Sequence, residues 1–186
     1  MAKQYEILAQ KHIDFIGKQK MFFVGTATAD SHVNVSPKGM DSFRVLGSNR
    51  VVWINMTGSG NETAAHVQVL PRMTIMFCAF EGAPQILRLY GQAKAVHKAD
   101  ASWDELYSYF EPLPGARQIF DMQIEMVQTS CGMAVPLYAY EGDREQLNDW
   151  AMKKGEAGIT KYWHDNNQLS IDGIQTSIVE KNSKSG

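Results

Sequence analysis

A short polar segment, residues 57–63, carries groups that could bind an anion. Its polar side chains are those of Thr57, Ser59, Asn61, Glu62 and Thr63, with glycines between them at 58 and 60. The alanine-rich run behind it favours a short helix, which Pro71 would end. Free N–H groups and the positive dipole end at a helix start attract phosphate. The segment therefore predicts an anion site, and the alternative is a plain loop in which Ser59 or Asn61 caps the helix.

Lys38 could supply the positive charge that this segment lacks. It belongs to the run Asn-Val-Ser-Pro-Lys-Gly-Met-Asp at 34–41, which the sequence places on a neighbouring strand. A phosphate monoester carries nearly two negative charges at neutral pH, so one lysine with several neutral donors forms a workable set. The alternative is a solvated surface lysine. The chain has neither a Gly-Lys-Ser/Thr phosphate loop nor a Gly-x-Gly-x-x-Gly pattern, which disfavours nucleoside triphosphate chemistry.

Runs of β-branched and aromatic residues predict the strands that would hold these segments. The first two pairs, 21–28 with 32–36 and 42–46 with 50–56, are predicted to form a four-stranded meander. Further strands are predicted at 72–80, 87–96, 124–129 and 134–140. Helices are predicted within 1–20, directly after the 57–63 segment, at 101–110 with Asp100 as cap, and at 143–166, and residues 181–186 are expected to fray. This pattern indicates a mainly β fold with peripheral helices, either a barrel or a sandwich.

Composition limits the partners of the chain. Its 186 residues fit one domain, and 18 basic against 20 acidic residues give a net charge of -2, which provides no field to attract nucleic acid or an anionic membrane. Apolar runs stay well short of the roughly 18 to 20 residues that a membrane span needs. Residues 1–20 lack the pattern of a signal peptide, so we expect a cytoplasmic protein. The five histidines are scattered, and we expect no metal site.

Four motifs in order resemble one family. They are Lys-Gly-Met-Asp at 38–41, Gly-Ser-Gly-Asn-Glu-Thr-Ala-Ala-His at 58–66, Arg-Met-Thr-Ile-Met-Phe at 72–77 and Ile-Leu-Arg-Leu-Tyr-Gly at 86–91. Together they resemble the FMN-binding split β-barrels related to pyridoxamine 5'-phosphate oxidase, and the likeness covers residues 7–140. It implies one FMN-binding domain over 1–186, with an N-terminal helix in 1–20, a barrel with inserted helices in 21–140 and a helical tail in 143–186. It also implies a homodimer that holds FMN between its subunits and acts on a small molecule.

The resemblance also assigns cofactor-binding residues. The flavin would run along the strand that contains Val33, Asn34, Val35, Ser36 and Lys38. The end of a later strand and the loop after it would contribute Asn55, Thr57, Ser59, Asn61, Glu62 and Thr63. Gln85 completes this set, because it lies one residue before the place of a flavin-contacting glutamine. Cys131 is added from its setting between Ser130 and Gly132: it could touch the flavin or a substrate, and the alternative is a small residue in a tight turn.

Two departures from the oxidases affect the expected function. Asn61, Glu62 and Thr63 stand where the oxidases carry Ser-Arg-Lys, so the two basic phosphate ligands of that loop are missing. Either neutral donors and Lys38 replace them or the flavin is held more weakly. The C-terminal Arg-x-His that grips pyridoxal phosphate is also missing, so we do not expect vitamin B6 oxidase activity. Arg88 and Arg117 could each meet an anion, but the default expectation for both is the surface.

The sequence leaves three functions open. The first is an FMN-dependent oxidoreductase acting on an unknown small molecule, in which the cofactor performs the redox chemistry. The second is a non-catalytic protein on the same barrel that binds or senses a flavin, a haem or a deazaflavin, which the missing phosphate and substrate ligands favour. The third is a structural protein with an empty site. No catalytic acid or base can be assigned from the sequence.

Overall fold

The computed structural model describes residues 2–182 of the 186-residue chain. The strands are β1 (Lys3–Tyr5), β2 (Phe22–Thr26), β3 (Asn34–Lys38), β4 (Phe43–Gly47), β5 (Arg50–Met56), β6 (Arg72–Cys78), β7 (Ile86–Val96) and β8 (Ala116–Ser130). The helices are α1 (Gln10–Lys18), α2 (Glu62–Val69), α3 (Trp103–Tyr107), α4 (Gln146–Asn166) and α5 (Ile178–Asn182). Burial alternates along strands such as β2 and β7, which is the pattern of a sheet with one face on the core.

The strands form one antiparallel sheet in the order β3-β2-β6-β7-β8-β5-β4, and β1 pairs with β8. The predicted pairings of β2 with β3 and of β4 with β5 are confirmed. The predicted four-stranded meander is wrong, because β3 and β4 do not pair and are instead the two end strands of the sheet. The two hairpins therefore lie at opposite ends of the sheet.

The sheet curls until its two end strands meet. Only residues 39–42 separate β3 from β4, so these ends must lie close in space. The N–H of Ile54 donates to the carbonyl of Ser42 at 2.9 Å, and the rings of Phe22 and Phe43 contact edge to face with centroids 5.0 Å apart. The result is a barrel that is split between β3 and β4. Its main core contains Val24, Trp53, Ile75, Leu89, Phe120 and other buried apolar side chains.

Three predicted elements differ from the structure. Residues 3–5 form a strand on β8, so the predicted N-terminal helix begins only at Gln10. The strand predicted at 124–129 is the second half of β8, which starts at Ala116. The first half was not predicted because both of its faces are buried and the polar–apolar alternation is lost there. The strand predicted at 134–140 does not form: this segment is irregular, and its apolar side chains, such as Met133 and Leu137, are exposed.

The C-terminal part of the chain packs onto the barrel as helices. α4 is interrupted by Gly155, whose φ of 64° lies in the left-handed region that glycine tolerates best. Ala151, Ile159 and Trp163 of α4 form a small core with Ile178 of α5. α3 is shorter than the predicted helix at 101–110. Of the end that was expected to fray, residues 181 and 182 complete α5 and residues 183–186 lie outside the described residues.

Candidate functional site

Lys38 lies at the split in the barrel. Its Nζ donates to Oδ1 of Asn55 on β5 at 3.4 Å and lies 5.3 Å from the ring centroid of Trp53. Burial, together with the nearby charge of Arg117, lowers the pKa of Lys38 from 10.5 to about 8. A fully solvated surface lysine would show none of these contacts. The ammonium group is therefore held between β3 and β5.

The inner face of β3 meets the start of α2. Asn34, Ser36 and Lys38 alternate with exposed residues and are half-buried, as the period of two along a strand requires. Nδ2 of Asn34 donates to Oγ1 of Thr63 at 3.1 Å. β3, the predicted lysine-bearing strand, therefore lies against the predicted helix start. Val33 and Val35 lie on the other side, with 73% and 63% of their surfaces exposed.

A buried amide pair lies behind the helix start. Nε2 of Gln118 on β8 donates to Oδ1 of Asn61 at 2.6 Å, and both residues are almost fully buried. Gln118 is the ladder partner of Asn55, so the pair is also adjacent to the Lys38 contact. Asn61 precedes α2 as its N-cap residue, but its side chain accepts no hydrogen bond from the first turn of the helix. Gln118 was not among the residues predicted from the sequence.

Arg117 lies in the interior, so its expected surface position is wrong. It has only 3% of its surface exposed, and Nη1 donates to Oδ1 of Asn167 at 2.8 Å. In the ladder with β5, Asn55 pairs with Gln118 and Met56 with Ala116, which leaves Arg117 as the extra residue of a β-bulge. Bulges commonly redirect a side chain in this way. Burial lowers the pKa of Arg117 to about 9.

Unpaired polar atoms concentrate at this place. Among residues 2–182, nine buried side-chain nitrogen or oxygen atoms have no hydrogen-bond partner, and five of them belong to this cluster. They are Oγ of Ser36, Nε1 of Trp53, Nδ2 of Asn61, Nε of Arg117 and Oε1 of Gln118. Buried polar groups in folded proteins are nearly always paired, so such a concentration indicates a place where a ligand supplies the partners. In the described chain, the ion pairs within 4.0 Å include neither Lys38 nor Arg117.

The loop before α2 is held from behind by the C-terminal segment. Oγ1 of Thr57 donates to the carbonyl of Gly115 at 2.7 Å and accepts from Nε1 of Trp163 at 2.8 Å. Nδ2 of Asn167 donates to the carbonyls of Gly58 and Ser59 at 3.1 and 3.2 Å. The hydroxyl of Thr57 is therefore engaged within the chain. The side chain of Ser59 is exposed at the tip of the loop.

The remaining predicted residues lie at the edge of this cluster or away from it. A carboxylate oxygen of Glu62 accepts from the N–H of Ile171 at 3.0 Å, so Glu62 also ties the C-terminal segment to α2. Gln85 and Cys131 lie together at the far end of β8 from Gln118, beside the pair formed by Ile86 and Ser130. Within one chain the structure does not bring them to the other predicted residues.

A cavity of about 240 Å³ borders Gly39, the residue that follows β3. Its apolar lining includes the aromatic rings of Phe22, Phe43 and Phe77, and Lys20 and Asp143 also border it. None of the predicted cofactor residues lines this cavity. Within residues 2–182, no group of three or more His, Cys, Asp or Glu side chains is placed to hold a metal ion. No helix in the same range is both long enough and apolar enough to cross a membrane.

Comparisons with known proteins agree with this fold. The family model for pyridoxamine 5'-phosphate oxidase matches residues 8–131. The chain is 32% identical over 190 residues to the pyridoxamine 5'-phosphate oxidase family protein ustO of Aspergillus flavus, which covers 91% of this chain and 76% of that protein. The chain therefore belongs to the pyridoxamine 5'-phosphate oxidase family.

Solved structures give the same fold. A candidate pyridoxamine 5'-phosphate oxidase from Lactobacillus delbrueckii superposes with a TM-score of 0.53 at 18% identity, covering 66% of this chain and 94% of that one. A variant of HupZ from Group A Streptococcus gives a TM-score of 0.53 at 17% identity, with coverages of 66% and 98%. The fold is the split β-barrel of this family, as predicted. The family match ends at residue 131, before the helical segment that holds the 57–61 loop.

Proposed function

We propose that this protein binds FMN in the groove between β3, the end of β5 and the start of α2, and that it is an oxidoreductase acting on a small molecule. The observation that carries the proposal is the cluster of unpaired buried polar atoms around Lys38 and the N-terminus of α2. This position agrees with the one that we expected for the flavin from the family resemblance. The donors fit the group: an ammonium, two amides and a helix start suit a phosphate.

The chain would contribute binding and orientation. FMN, when bound, supplies the capacity to accept and donate electrons or hydride. Lys38 and the α2 start would hold its negative tail, while Asn34, Ser36 and Asn55 offer hydrogen-bonding groups along the same face. These groups fix the position of a ring more than they activate a substrate. We do not expect vitamin B6 oxidase activity, because the Arg-x-His pair is missing from the sequence.

We also propose a homodimer in the cytoplasm. β3 is an end strand of the sheet, and Val35 within it and Val33 just before it are largely exposed in the single chain. A second subunit would cover them. Cys78 and Cys131 are both free thiols, which fits a reducing compartment.

The first test is the identity of the bound group. We expect the purified protein to be yellow, with flavin absorbance bands and one FMN per subunit, confirmed by mass spectrometry of the released ligand. Haem and a deazaflavin are titrated in parallel as competitors. A colourless protein that added FMN does not saturate would contradict the proposal. Bound FMN that neither NADH nor NADPH reduces would instead favour the non-catalytic binding protein.

A further inference from the structure

Arg117 has the surroundings of a ligand-binding group more than those of a structural cation. It is 3% exposed, it lies in the β-bulge opposite Asn55 and Met56, and its buried Nε has no acceptor in the described part of the chain. Burying a guanidinium without an anion is costly. A neutral donor could hold Asn167 without that cost. The cost is recovered only if an anion enters the cluster.

Asn61 offers the second free donor. Its Oδ1 is occupied by Gln118, which fixes the orientation of the amide and leaves Nδ2 buried and unpaired. Because Asn61 precedes α2, this free N–H₂ lies at the end of the helix where the first backbone N–H groups lack intrahelical acceptors. Gln118 follows Arg117 directly in β8, so one strand positions both donors.

We propose that Arg117 and Asn61 bind the phosphate group of the ligand, which in FMN is its 5'-phosphate, in place of the two basic loop residues that the oxidases carry. This inference rests on the proposed function for the identity of the ligand. The cation has moved from the loop to a bulge in β8 beneath it. The C-terminal segment takes part through Asn167, which accepts from Arg117 and donates to the carbonyls of Gly58 and Ser59.

Asn167 connects Arg117 to the loop before α2. It is completely buried, and it joins the guanidinium to the loop backbone, so it is a positioning residue. Its Oδ1 accepts a hydrogen bond from Arg117 and so orients the guanidinium. Its Nδ2 donates to the carbonyl of Gly58 and so holds the loop close to Arg117. The oxidase family model ends at residue 131, so this support comes from outside the region that the model matches.

The test compares FMN with riboflavin, which has the same ring but no phosphate. Dissociation constants for both are measured by flavin fluorescence in the wild type and in Arg117→Gln. We expect FMN affinity to fall by roughly 10- to 100-fold, the loss typical of one charge-assisted hydrogen bond, while riboflavin affinity stays within about twofold. Arg50→Gln is the matched control, because Arg50 lies on the neighbouring strand and is already paired with Asp121 at 2.9 Å. It should keep the preference for FMN.

Asn61→Asp covers the case in which Arg117→Gln does not fold. Aspartate has the same shape, can still accept from Gln118, and is a favoured N-cap residue, so the variant should fold. Its negative charge should remove the preference for FMN and the thermal stabilisation that inorganic phosphate gives the wild type. Arg117→Lys should recover part of the preference, because it keeps the charge.

The outcomes separate this inference from the proposed function. If the wild type prefers FMN and folded Arg117→Gln and Asn61→Asp keep that preference, the inference is wrong and the function stands. If the wild type binds neither flavin, the function is wrong and inorganic phosphate decides the inference. Phosphate that raises the melting temperature of the wild type but not of Asn61→Asp then supports the anion site. Equal shifts in both proteins overturn it.

Discussion

At the scale of the residue, the site contains two cations that have lost much of their hydration, the half-buried Lys38 and the buried Arg117. Loss of hydration lowers the pKa of both Lys38 and Arg117, and the charge of Arg117 lowers the pKa of Lys38 further. In the described chain neither has a carboxylate partner within 4.0 Å. Tyr162 and then Glu62 counteract part of the lowering of the Arg117 pKa, and the carboxylate of Glu62 accepts a hydrogen bond from the N–H of Ile171. An arrangement of this kind is stable only at a cost that an anionic ligand would offset.

The lowered pKa of Lys38 predicts a specific pH dependence. Above about pH 8 the folded protein loses the Lys38 proton, while the unfolded chain keeps it up to about 10.5. The contribution of Lys38 to the stability of the ligand-free protein should therefore rise with pH between these values, because the unfolded state then binds more protons. FMN affinity should change in the opposite sense and fall about tenfold between pH 7 and 9, since the bound phosphate needs the charged lysine.

The measurement is the ratio of FMN to riboflavin affinity at pH 7, 8 and 9, which cancels any ionisation of the flavin ring. Lys38→Met should bind FMN at least tenfold more weakly at pH 7 and should lose this pH dependence. Lys94→Met is the control, because Lys94 is exposed and lies on β7 outside the cluster. The same pH slope in Lys38→Met and in the wild type would show that another group titrates.

At the scale of elements, α4 and the loop before α2 act as one unit. A hydrogen bond from Nε1 of Trp163 to Oγ1 of Thr57 joins the helix to the start of the loop. Trp163 is 3% exposed and belongs to the small core between α4 and α5. The loop is therefore held by this hydrogen bond to α4 in addition to its contact with Gly115, just before β8.

Trp163→Phe should separate this effect from simple loss of packing. We expect the free energy of unfolding to fall by about 2 kcal/mol, from one buried hydrogen bond and a smaller ring. FMN affinity should fall several-fold, because the loop must then be ordered by the ligand. Urea unfolding and flavin titration measure the two effects. Trp150→Phe is the control on the same helix: Trp150 is half-buried and contacts Tyr162 edge to face, so its replacement should leave FMN affinity unchanged.

Local patterns predicted the hairpins and the family fold, and the physical reason is the period of two along half-buried strands. β2 and β3 alternate in burial and are joined directly by the loop 27–33, so their pairing is a local matter. The order of strands is not local. β3 and β4 follow each other in the chain but do not pair, and this strand order depends on which faces pack together in the core. The first half of β8 was missed because seven successive residues there are buried and give no alternation.

In the site, too, residues in local motifs were predicted from the sequence, and residues that depend on the overall fold were not. Asn34, Lys38, Asn61 and Thr63 were predicted because they sit in motifs with a family likeness and a helix start. The structure brings Asn34 to Thr63, and Lys38 to Asn55. Arg117, Gln118 and Asn167 have no local signal that marks them. An arginine in a strand is usually exposed, but both faces of this part of β8 are buried, and Arg117 lies at the register shift opposite Asn55 and Met56.

At the scale of the whole molecule, an exposed apolar patch lies along the outer edge of β3. Val33, Val35 and Ile171 have 73%, 63% and 76% of their surfaces exposed. His32 and Asp172 join the two parts of the patch, with Nδ1 and Oδ1 2.6 Å apart. An uncovered edge strand with apolar side chains favours association, so this patch is the surface through which we expect two chains to pair.

Val35→Asp should therefore disrupt the proposed homodimer. We expect sedimentation at micromolar concentration to give a dimer for the wild type and a monomer for the variant, because burying an unpaired carboxylate in the interface is costly. Met152→Asp is the control, since Met152 is 61% exposed on α4, away from β3. If the cofactor lies between subunits, FMN affinity must fall together with dimerisation in Val35→Asp and remain unchanged in Met152→Asp. A wild-type monomer that binds FMN fully would contradict both the assembly and a shared site.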